Sequence, residues 1–399
     1  MRLTHLQVSG YRNIDRLEIT FPHRTGIFIG ANAQGKSNLL EAVYMLATMR
    51  AVRAETDAQV IRRESLNDVL PVARVVGLAE TAEGPLKVEV TVTGRPGPNG
   101  PIGTKTAKIN GVSRRHSDAV GRLTAVLFTA DDLDLISGTP SGRRRYIDVT
   151  LAQVEPAYSS ARSKFERVLT QRNHLLKRIR EGVAIRDELP YWDGELTKHG
   201  ALLFHRRARA LSSIGAMAAE AHARLAPGER LTIEYRPRLD PLRISLTSAA
   251  EKEIAEAYAT ALATSLPRDI AAGMSLTGPH RDDLLFSLDD FAAAGFASRA
   301  QSRTVALALR LAEARYLRDV RADPPVLLLD DILSEMDAER RDSVLAALGD
   351  VDQMLVTGTD WDRFPRSFLA DASLFAVEAG SVQPLGAPPP APGHRTEVS

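Results

Sequence analysis

The feature that most constrains this chain is an octet of small, polar and basic residues, GANAQGKS, at Gly30–Ser37. It matches G-x-x-x-x-G-K-[ST], the phosphate-binding loop (P-loop) that joins a β-strand to an α-helix. The apolar strand Gly26–Ile29 precedes the octet, and a helical pattern from Asn38 to about Arg50 follows it. This context predicts an α/β protein that binds a nucleotide at the start of that helix. The alternative is a chance glycine-rich turn before a helix.

Each residue type in the octet suits the binding of a triphosphate. Glycines let the backbone curl so that several N–H groups point at phosphate oxygens. Lys36 supplies a full positive charge to the β- and γ-phosphates, and Ser37 offers a hydroxyl ligand to Mg²⁺. Lys36 is also predicted to take part in catalysis. The predicted ATP-binding residues of the loop are Gly30, Ala31, Asn32, Ala33, Gln34, Gly35, Lys36 and Ser37.

A second candidate site lies at Val326–Leu329, an apolar stretch that is followed by Asp330 and Asp331. The pattern indicates a buried strand that carries a carboxylate at its carboxyl end, where ligands bind in open α/β sheets. Asp330 is predicted to hold Mg²⁺, directly or through water, and Asp331 to orient or deprotonate the attacking water. Alone, the pattern favours a buried strand that ends in a solvated turn. Paired with a P-loop, it favours a nucleotide site.

The spacing of the two motifs adds a third element. Lys36 and Asp330 are 294 residues apart, so most of the chain is inserted between them, as in the heads of SMC and ABC-type ATPases. Such heads carry a Ser-containing signature at a helix N-terminus, and here Ser298 precedes an apolar-rich helix from Val305 to about Val320. A Ser hydroxyl with free helix N–H groups suits a γ-phosphate. In this class it acts across a dimer on the partner's nucleotide; the alternative is a simple helix cap.

Together these motifs resemble the RecF family of bacterial recombination-repair proteins. Gly10–Asn13 is one landmark of that family, and the arginine run Arg143–Arg145 and GPHRDD at Gly278–Asp283 are more specific ones. The resemblance covers about residues 1–375. It implies an ABC/SMC-type P-loop ATPase head of the α/β class, with an antiparallel strand subdomain and an inserted helical lobe. It further implies an ATP-dependent homodimer, binding to double-stranded and gapped DNA, and weak, DNA-stimulated ATP hydrolysis by a nucleotide-gated clamp. It also implies a role in loading RecA with partners of the RecR and RecO type.

One position departs from the family's signature, which usually reads Ser, a polar residue, Gly, then Gln. This chain has Ser298-Arg299-Ala300-Gln301. A glycine at this point allows close approach of the backbone to phosphate, and the methyl group of Ala300 is expected to obstruct that approach. We therefore expect an effect on the contact with the partner's ATP and on the rate of hydrolysis, but not on nucleotide binding.

Three further segments are assigned by the same resemblance. Ser334–Asp337 resembles the D-loop of ABC-type ATPases, and Thr359 follows a strand in the place of the switch segment, where it is a candidate sensor of the γ-phosphate. His280 and Arg281 have two interpretations of equal weight. They serve the nucleotide site, or they tie the helical lobe back onto the head.

The predicted division is an ATPase head at 1–150 and 270–378, a mainly helical lobe at 151–269, and a disordered, proline-rich tail at 379–399. The net charge of +1 is unevenly spread: residues 162–209 hold 12 Lys/Arg against 6 Asp/Glu, and residues 323–363 hold 3 against 11. The arginine run Arg143–Arg145 lies just before the basic region. A basic lobe favours sequence-tolerant binding to DNA phosphates, and solvated helix faces are the alternative for any single cation.

Other features exclude several classes of protein. The chain has no cysteine, which rules out disulfides, Fe–S clusters, Cys-based zinc sites and thiol nucleophiles. No run approaches the ~20 apolar residues of a membrane span, and the first residues lack the apolar core of a signal peptide, so we expect a cytoplasmic protein without a membrane partner. Two alternative functions remain: a transporter ATPase, which usually carries LSGGQ-like glycines, and a nuclease-linked ATPase, which needs a further acidic cluster.

Overall fold

A computed structural model of the chain describes residues 1–97, 100–240, 244–333, 338–349 and 351–386. In this part of the chain the strands are β1 (Arg2–Tyr11), β2 (Ile14–Thr20), β3 (Thr25–Ile29), β4 (Val72–Thr81), β5 (Gly84–Arg95), β6 (Ile102–Ile109), β7 (Val112–Arg114), β8 (Ala125–Phe128), β9 (Leu231–Arg236), β10 (Asp283–Leu288), β11 (Phe291–Ala292), β12 (Val326–Leu329), β13 (Met354–Gly358), β14 (Ala372–Glu378) and β15 (Ser381–Leu385). The α-helices are α1 (Lys36–Thr48), α2 (His116–Ala119), α3 (Leu133–Ser137), α4 (Pro140–Val154), α5 (Pro156–Arg180), α6 (Leu189–Leu225), α7 (Glu251–Ala272), α8 (Ala293–Phe296), α9 (Arg299–Arg321), α10 (Ala338–Leu348) and α11 (Arg366–Ala370).

The chain packs as two compact units. One comprises Met1–Ala130 and the described residues from Leu317 onward, and the other comprises Asp131–Tyr316. We call them the sheet unit and the helical unit. Helix α9 contributes residues to both, because the boundary falls between Tyr316 and Leu317.

Two six-stranded sheets form the sheet unit. One is antiparallel, in the order β2-β1-β4-β5-β6-β7; the other, in the order β15-β14-β3-β13-β12-β8, is parallel except for β15. Strands β3, β12 and β13 are apolar runs that are buried almost throughout, as expected for parallel strands covered on both faces. Helix α1 packs against strands of both sheets and buries Leu39, Leu40, Val43 and Leu46 between them.

The strand order of the parallel sheet determines where its chemistry lies. Strand β13 pairs with β3 on one side and with β12 on the other, and all three run in the same direction. Their carboxyl ends therefore meet at one edge of the sheet, which is where ligands bind in open α/β sheets. The P-loop follows β3 and the paired carboxylates follow β12, so the strand order brings the two predicted motifs to the same edge.

The helical unit is built around α5 and α6, which pack against each other as a helical hairpin. With 37 residues, α6 extends over about 55 Å. Helix α7 packs on both members of the hairpin, and the three-stranded antiparallel sheet β11-β10-β9 contacts α4 and α6.

Buried ion pairs anchor the GPHRDD segment within the helical unit. The carboxylate of Asp282, 1% exposed, accepts hydrogen bonds from Arg207 Nη1 (2.9 Å), from the Tyr235 hydroxyl and from the backbone N–H of Arg238 (2.8 Å). Burial raises the pKa of Asp282 to about 6, although the charge of Arg207 acts in the opposite direction. The segment is therefore held by the interior of its own unit.

The arginine run is tied to the same segment. Arg143 Nε and Nη2 donate to Oδ1 and Oδ2 of Asp283 (2.7 and 3.0 Å), and Arg144 Nη1 donates to the carbonyl of Asp282 (2.6 Å). Only Arg145 of the run is exposed. Arg143 and Arg144 are therefore structural links in the helical unit, and they add no free cations to the neighbouring basic region.

The compact units do not have the predicted boundaries. They divide the chain after residues 130 and 316, whereas the predicted division was placed after residues 150 and 269. The difference arises because α4 and β10 pack into the helical unit, joined by the Arg143–Asp283 ion pair. The compact units do not test where the functional domains begin and end, so the division into head and lobe stays a prediction.

The prediction of a disordered tail is wrong for its first residues. Strand β15 pairs antiparallel with β14, with Val377 opposite Val382, and a tight turn at Ala379 and Gly380 connects the two strands. Composition alone suggested disorder because prolines dominate the later part of the tail. Residues 387–399 lie outside the described part of the chain. Within the described residues, no helix is both long and apolar enough to span a membrane.

Candidate nucleotide-binding site

The octet forms the loop between β3 and α1, and its two glycines are required by their neighbours. A Cβ atom on Gly30 would lie 2.2 Å from the carbonyl oxygen of Val377, so no other residue fits there. Gly35 has a φ of 107°, and a Cβ atom on it would lie 2.6 Å from Asn13 Nδ2. Glycine is the residue that tolerates both the left-handed backbone and the close approach.

Contacts on both sides hold the loop in shape. The carbonyl oxygen of Gln34 accepts hydrogen bonds from Asn13 Nδ2 (3.2 Å) and from the N–H of Gly380 (2.8 Å). Gln34 Oε1 accepts from the N–H of Ala379 (2.6 Å). The turn after β1 and the β14–β15 turn thus fix the loop from opposite ends of the sequence. A loop fixed before a ligand arrives loses less conformational entropy on binding it.

Lys36 points along the inside of the loop. Its Nζ donates to the carbonyl oxygens of Gly30 (2.7 Å) and Ala31 (2.9 Å), and the residue is 6% exposed. Burial lowers the pKa of Lys36, whereas the charges of Asp331 and Asp330 act to raise it. An ammonium held among carbonyl oxygens and facing two carboxylates is suited to bind the oxygens of a phosphate chain.

Asp330 collects hydroxyl and guanidinium donors at the end of β12. Its Oδ1 accepts from Ser37 Oγ (2.9 Å) and from Thr357 Oγ1 (2.8 Å), and its Oδ2 accepts from Arg53 Nη2 (3.3 Å). The hydroxyl of Ser37 and the carboxylate of Asp330 are both oxygen ligands of the kind that Mg²⁺ prefers. Mg²⁺ at nucleotide sites takes one or two protein ligands besides phosphate and water, so this donor set fits the ion.

Asp331 follows in an unusual conformation. Its φ of 54° is left-handed, and its N–H donates to Thr357 Oγ1 (2.9 Å). A non-glycine residue in this region is held there at a cost of about 1 kcal/mol or more, and such residues cluster at functional sites. Thr357 therefore contacts two consecutive residues: its hydroxyl hydrogen is donated to the carboxylate of Asp330, and its oxygen accepts from the backbone N–H of Asp331.

A second cluster, centred on the buried carboxylate of Glu41, joins α1 to the end of β1 and to the backbone of Arg53. Arg12 Nε and Nη2 donate to the two carboxylate oxygens of Glu41 (3.0 and 3.1 Å), and the hydroxyl of Tyr11 adds a third hydrogen bond (3.1 Å). The N–H of Arg53 donates to Glu41 Oε1 (2.9 Å). Burial favours the neutral form of Glu41, but the hydrogen bonds from Arg12 and Arg53 outweigh it and lower the pKa. Tyr11 and Arg12 of the Gly10–Asn13 landmark thus hold α1, the helix that follows the P-loop.

A cavity of about 370 Å³ opens between these groups, within the size range of ligand pockets. It is lined by Asn32, Ala33, Gln34, Gly35, Lys36, Ser37, Asn38, Arg53, Ala130, Asp330 and Asp331. Six of the eight octet residues and both predicted carboxylates therefore line one cavity in the sheet unit. Gly30 and Ala31 contribute carbonyl oxygens to Lys36 beside it.

Ser298 belongs to the helical unit and caps α9. Its Oγ accepts from the N–H of Gln301 (3.2 Å), while its own N–H donates to Gln301 Oε1 (2.9 Å). This reciprocal pair is a capping box, the arrangement that S-x-x-Q favours at a helix start. Ser298, Arg299 and Ala300 are exposed. The hydroxyl hydrogen of Ser298 remains available to an acceptor outside the helix.

Sequence reasoning missed three contributors to the site: Thr357, Arg53 and Asn13. The signal for Thr357 is its place at the end of the apolar strand β13, whereas the candidate Thr359 is exposed. Ser334–Asp337, the predicted D-loop, lies outside the described residues.

His280 and Arg281 lie in the helical unit. His280 Nε2 and Arg281 Nε contact the carbonyl oxygen of Ser275 (3.0 and 3.3 Å), and Arg281 Nη2 contacts it as well (3.2 Å). These contacts lie within one unit, so both interpretations of His280 and Arg281 stay predictions.

The comparisons with known proteins agree with this architecture. Residues 2–367 match the family model described as RecF/RecN/SMC N terminal domain. Proteins named DNA replication and repair protein RecF from Roseiflexus castenholzii and Chloroflexus aurantiacus are each 38% identical to the chain, covering 96% of it and 100% and 99% of their own lengths. A solved structure of the recombination mediator protein RecF-ATPrS superimposes with a TM-score of 0.84 at 28% identity, covering 96% of this chain and 98% of the other. An SMC head bound to a ScpA domain, with a TM-score of 0.51 and 16% identity, shares the fold alone.

Fold and site together define a P-loop ATPase head of the ABC/SMC type, which confirms the predicted fold class. Within that class, the chain belongs to the RecF family of DNA replication and repair proteins, and the predicted resemblance is confirmed.

Proposed function

We propose that this protein is an ATP-dependent DNA-binding protein of recombinational repair and replication-fork maintenance. It dimerises with ATP on duplex DNA at single-strand gaps, hydrolyses ATP slowly with stimulation by DNA, and helps to load RecA. The observation that carries this proposal is the convergence of Lys36, Ser37 and Asp330 on one cavity, from strands whose motifs are 294 residues apart. That arrangement suits a nucleoside triphosphate with its metal ion.

The residues of the cavity divide the work of nucleotide binding. The loop N–H groups and the start of α1 face the phosphates, and Lys36 exchanges its contacts with the carbonyl oxygens of Gly30 and Ala31 for phosphate oxygens. Ser37 and Asp330 hold Mg²⁺, which supplies charge neutralisation to the phosphates when bound. Asp331, fixed by Thr357, orients the water that attacks the γ-phosphate or accepts its proton.

ATP turnover in this proposal needs a second copy of the chain. Ser298 and the exposed N-terminus of α9 approach the nucleotide of the partner subunit, as the signature does in ABC-type ATPases. Support comes from the free hydroxyl hydrogen of Ser298 and from its exposure. The methyl group of Ala300 obstructs the approach of this backbone to the γ-phosphate of the partner's ATP, which fits a slow ATPase that works as a nucleotide-gated clamp.

A stripe of exposed side chains on α5 is the surface that best suits the DNA backbone. Lys164, Arg167, Gln171, His174 and Arg178 follow one another at helical spacing and are all exposed. We call them the α5 stripe; it spans about 21 Å. Among the described residues, Lys164, Arg167 and Arg178 form no ion pair, so their charges are available to phosphates. Such contacts bind DNA without reading its sequence.

The partner proteins follow from relatives alone. The solved relatives are described as recombination mediator proteins of the RecFOR pathway, in complex with ATP or ATPrS. By analogy, proteins of the RecR and RecO type are the proposed partners of this chain. A transporter ATPase or a nuclease-linked ATPase remains the alternative, but full-length similarity to RecF proteins favours the repair function.

The test is the mass of the protein in solution, measured by light scattering with ATP, with ADP and without nucleotide, in the presence and absence of gapped duplex DNA. We expect a monomer without nucleotide, a dimer with ATP, and tighter DNA binding by the dimer. If ATP neither dimerises the protein nor changes its affinity for DNA, the clamp proposal is wrong.

Two variants separate binding from hydrolysis. Lys36→Ala removes the cation from the phosphate cradle and is expected to abolish ATP binding and dimerisation. Asp331→Asn keeps the shape of the site but removes the carboxylate, so it is expected to bind ATP and dimerise while hydrolysing ATP more slowly. Equal turnover in Asp331→Asn and wild type would remove the role assigned to Asp331.

A further inference from the structure

A chain of hydrogen bonds connects the start of α9 with the last turn of α6. Gln301 Nε2 donates to Glu229 Oε1 (3.0 Å), and His222 Nε2 lies 3.2 Å from Glu229 Oε2. His222 is fully buried on α6, and Glu229 lies in the segment between α6 and β9. One carboxylate therefore joins the helix that carries Ser298 to the helical hairpin.

That carboxylate also determines which way the side chain of Gln301 points. A carboxylate only accepts hydrogen bonds, so the Nε2 group of Gln301 must face Glu229. Its Oε1 is then directed to the N–H of Ser298 (2.9 Å) and completes the capping box. The conformation of the signature segment thus depends on Glu229, which lies about 70 positions earlier in the chain and contacts Gln301 within the helical unit.

The other oxygen of Glu229 is held by His222. Burial lowers the pKa of His222, although the charge of Glu229 acts in the opposite direction. A neutral ring in the tautomer with hydrogen on Nε2 donates to Glu229 Oε2. A shift of the last turn of α6 would therefore move Glu229, and with it the amide that caps Ser298.

We propose that Glu229 is a positioning residue that couples the α5 stripe to the signature segment. The stripe lies beside the first half of α6, because Arg172 of α5 bonds Asp193 and Tyr158, at the start of α5, bonds Arg207. Helix α6 then continues unbroken to Leu225, so a displacement of this helix by nucleic acid bound to the stripe reaches His222 in its last turn. The movement reaches Ser298 through Glu229 and Gln301. This inference rests on the proposed function, because it assumes that Ser298 serves the ATP of a second copy and that DNA binds the stripe.

Two substitutions at Glu229 make different predictions. In Glu229→Ala, Gln301 loses the acceptor that orients its amide. In Glu229→Gln, one oxygen still accepts from Gln301, and the ring of His222 can accept from the new amide by changing tautomer. We expect DNA-stimulated kcat for ATP hydrolysis to fall about tenfold in Glu229→Ala, the effect of one lost hydrogen bond of this kind, and to be largely retained in Glu229→Gln.

Three controls separate positioning from damage to the fold. KM for ATP and DNA affinity in ADP should be unchanged in Glu229→Ala, because the P-loop and the α5 stripe are intact. The matched variant Glu234→Ala removes an exposed carboxylate of β9, which pairs with Arg236 on the same strand. Its DNA-stimulated turnover should equal that of wild type. A Glu229→Ala variant with raised KM, or a Glu234→Ala variant with the same loss of kcat, would overturn the inference.

The decisive experiment mixes Glu229→Ala with an excess of Asp331→Asn, the variant that is expected to bind ATP and dimerise but to hydrolyse ATP slowly. Neither variant alone turns over ATP rapidly, but a mixed dimer pairs the intact P-loop and Asp331 of the first with the intact signature of the second. We expect DNA-stimulated turnover per Glu229→Ala chain to rise severalfold on mixing. Stimulated turnover in wild type with no rise in the mixture would overturn the inference alone, whereas an unstimulated wild type would overturn the proposed function with it.

Discussion

At the scale of single residues, one hydroxyl has a disproportionate role in the candidate site. Thr357 donates to Asp330 and accepts from the N–H of Asp331, so it holds the carboxylate of the predicted metal ligand and the backbone of the predicted water-orienting residue. Its position on the central strand β13 makes this possible, because β13 lies between the strands that carry the P-loop and the carboxylates.

Thr357→Val tests this role with a side chain of the same shape. Removing the hydroxyl leaves the N–H of Asp331 without its acceptor and is expected to lower the free energy of unfolding by about 1–2 kcal/mol. Because Asp330 and Asp331 are then held less firmly, kcat should fall by about tenfold while ATP affinity changes little. Thr357→Ser restores the hydroxyl and should recover most of the loss in both denaturant unfolding and steady-state turnover. Wild-type kcat in Thr357→Val would contradict the assignment.

His280 gives the helical unit a pH dependence. Burial is the main cause that lowers the pKa of His280 to about 4, and the charges of Arg281, Arg144 and Arg172 act in the same direction. His280 therefore becomes protonated near pH 6.5 in the unfolded chain but only near pH 4 in the folded chain. Stability from this residue is fully present above pH 6.5 and is lost as the pH falls to about 4, with an upper limit of about 3 kcal/mol.

Denaturant unfolding of wild type and His280→Gln between pH 4 and pH 7 measures this effect. Asp282, with a pKa raised to about 6, contributes the opposite slope in part of the same range, since it binds a proton more readily in the folded chain. The difference between the two proteins isolates His280. We expect it to change with pH in the direction that favours wild type at pH 7. A difference that is constant across the range would show that folding leaves the pKa of His280 unchanged, and the assigned effect of burial would be wrong.

At the scale of elements, the basic face of α5 accounts for the proposed contact with DNA. Lys164→Gln with Arg167→Gln removes two exposed cations from the α5 stripe. If both contact phosphates, the slope of log affinity against log salt should become shallower by about 2. The matched pair Lys252→Gln and Arg268→Gln removes two exposed cations from α7 and should leave the slope unchanged. Equal slopes in the stripe variant and wild type would mean that DNA binds elsewhere.

The same scale shows what the sequence could and could not predict. The P-loop was predictable because the residues that form it, from Gly30 to the start of α1, are adjacent in the chain, although contacts from distant segments also hold it. The strand before Asp330 was predictable from its apolar run. The contacts of Thr357 and Arg53 with Asp330 were not, since the order β3-β13-β12 results from pairing between distant segments.

Charged residues were the other limit. Arg143 looked available to DNA in the sequence, but it pairs with Asp283, which is 140 positions away. A count of cations cannot distinguish a buried ion pair from a free surface charge. For Ser298, a simple helix cap was the alternative interpretation, and the structure shows such a cap, in which Gln301 takes part. The use of Ser298 by a second copy is a property of two chains that no local pattern reveals.

At the scale of the whole molecule, the alanine in the signature should limit the rate of a reaction shared by two copies. Ala300 is exposed in the first turn of α9, and its methyl group lies where the family carries glycine. Ala300→Gly is expected to increase ATP turnover severalfold at protein concentrations that support the dimer, at a cost of up to about 1 kcal/mol in helix stability. Because the P-loop is unchanged, ATP affinity of the monomer should stay the same.

Turnover per chain, measured as a function of protein concentration, checks this prediction. If the signature acts across the dimer, turnover rises with concentration in both proteins, and the curves of Ala300→Gly and wild type diverge only where dimers form. Light scattering at the same concentrations gives the dimer fraction independently. A variant that is faster by the same factor at every concentration would place Ala300 near the nucleotide of its own chain, and a variant with wild-type rates throughout would show that the methyl group does not obstruct the phosphate.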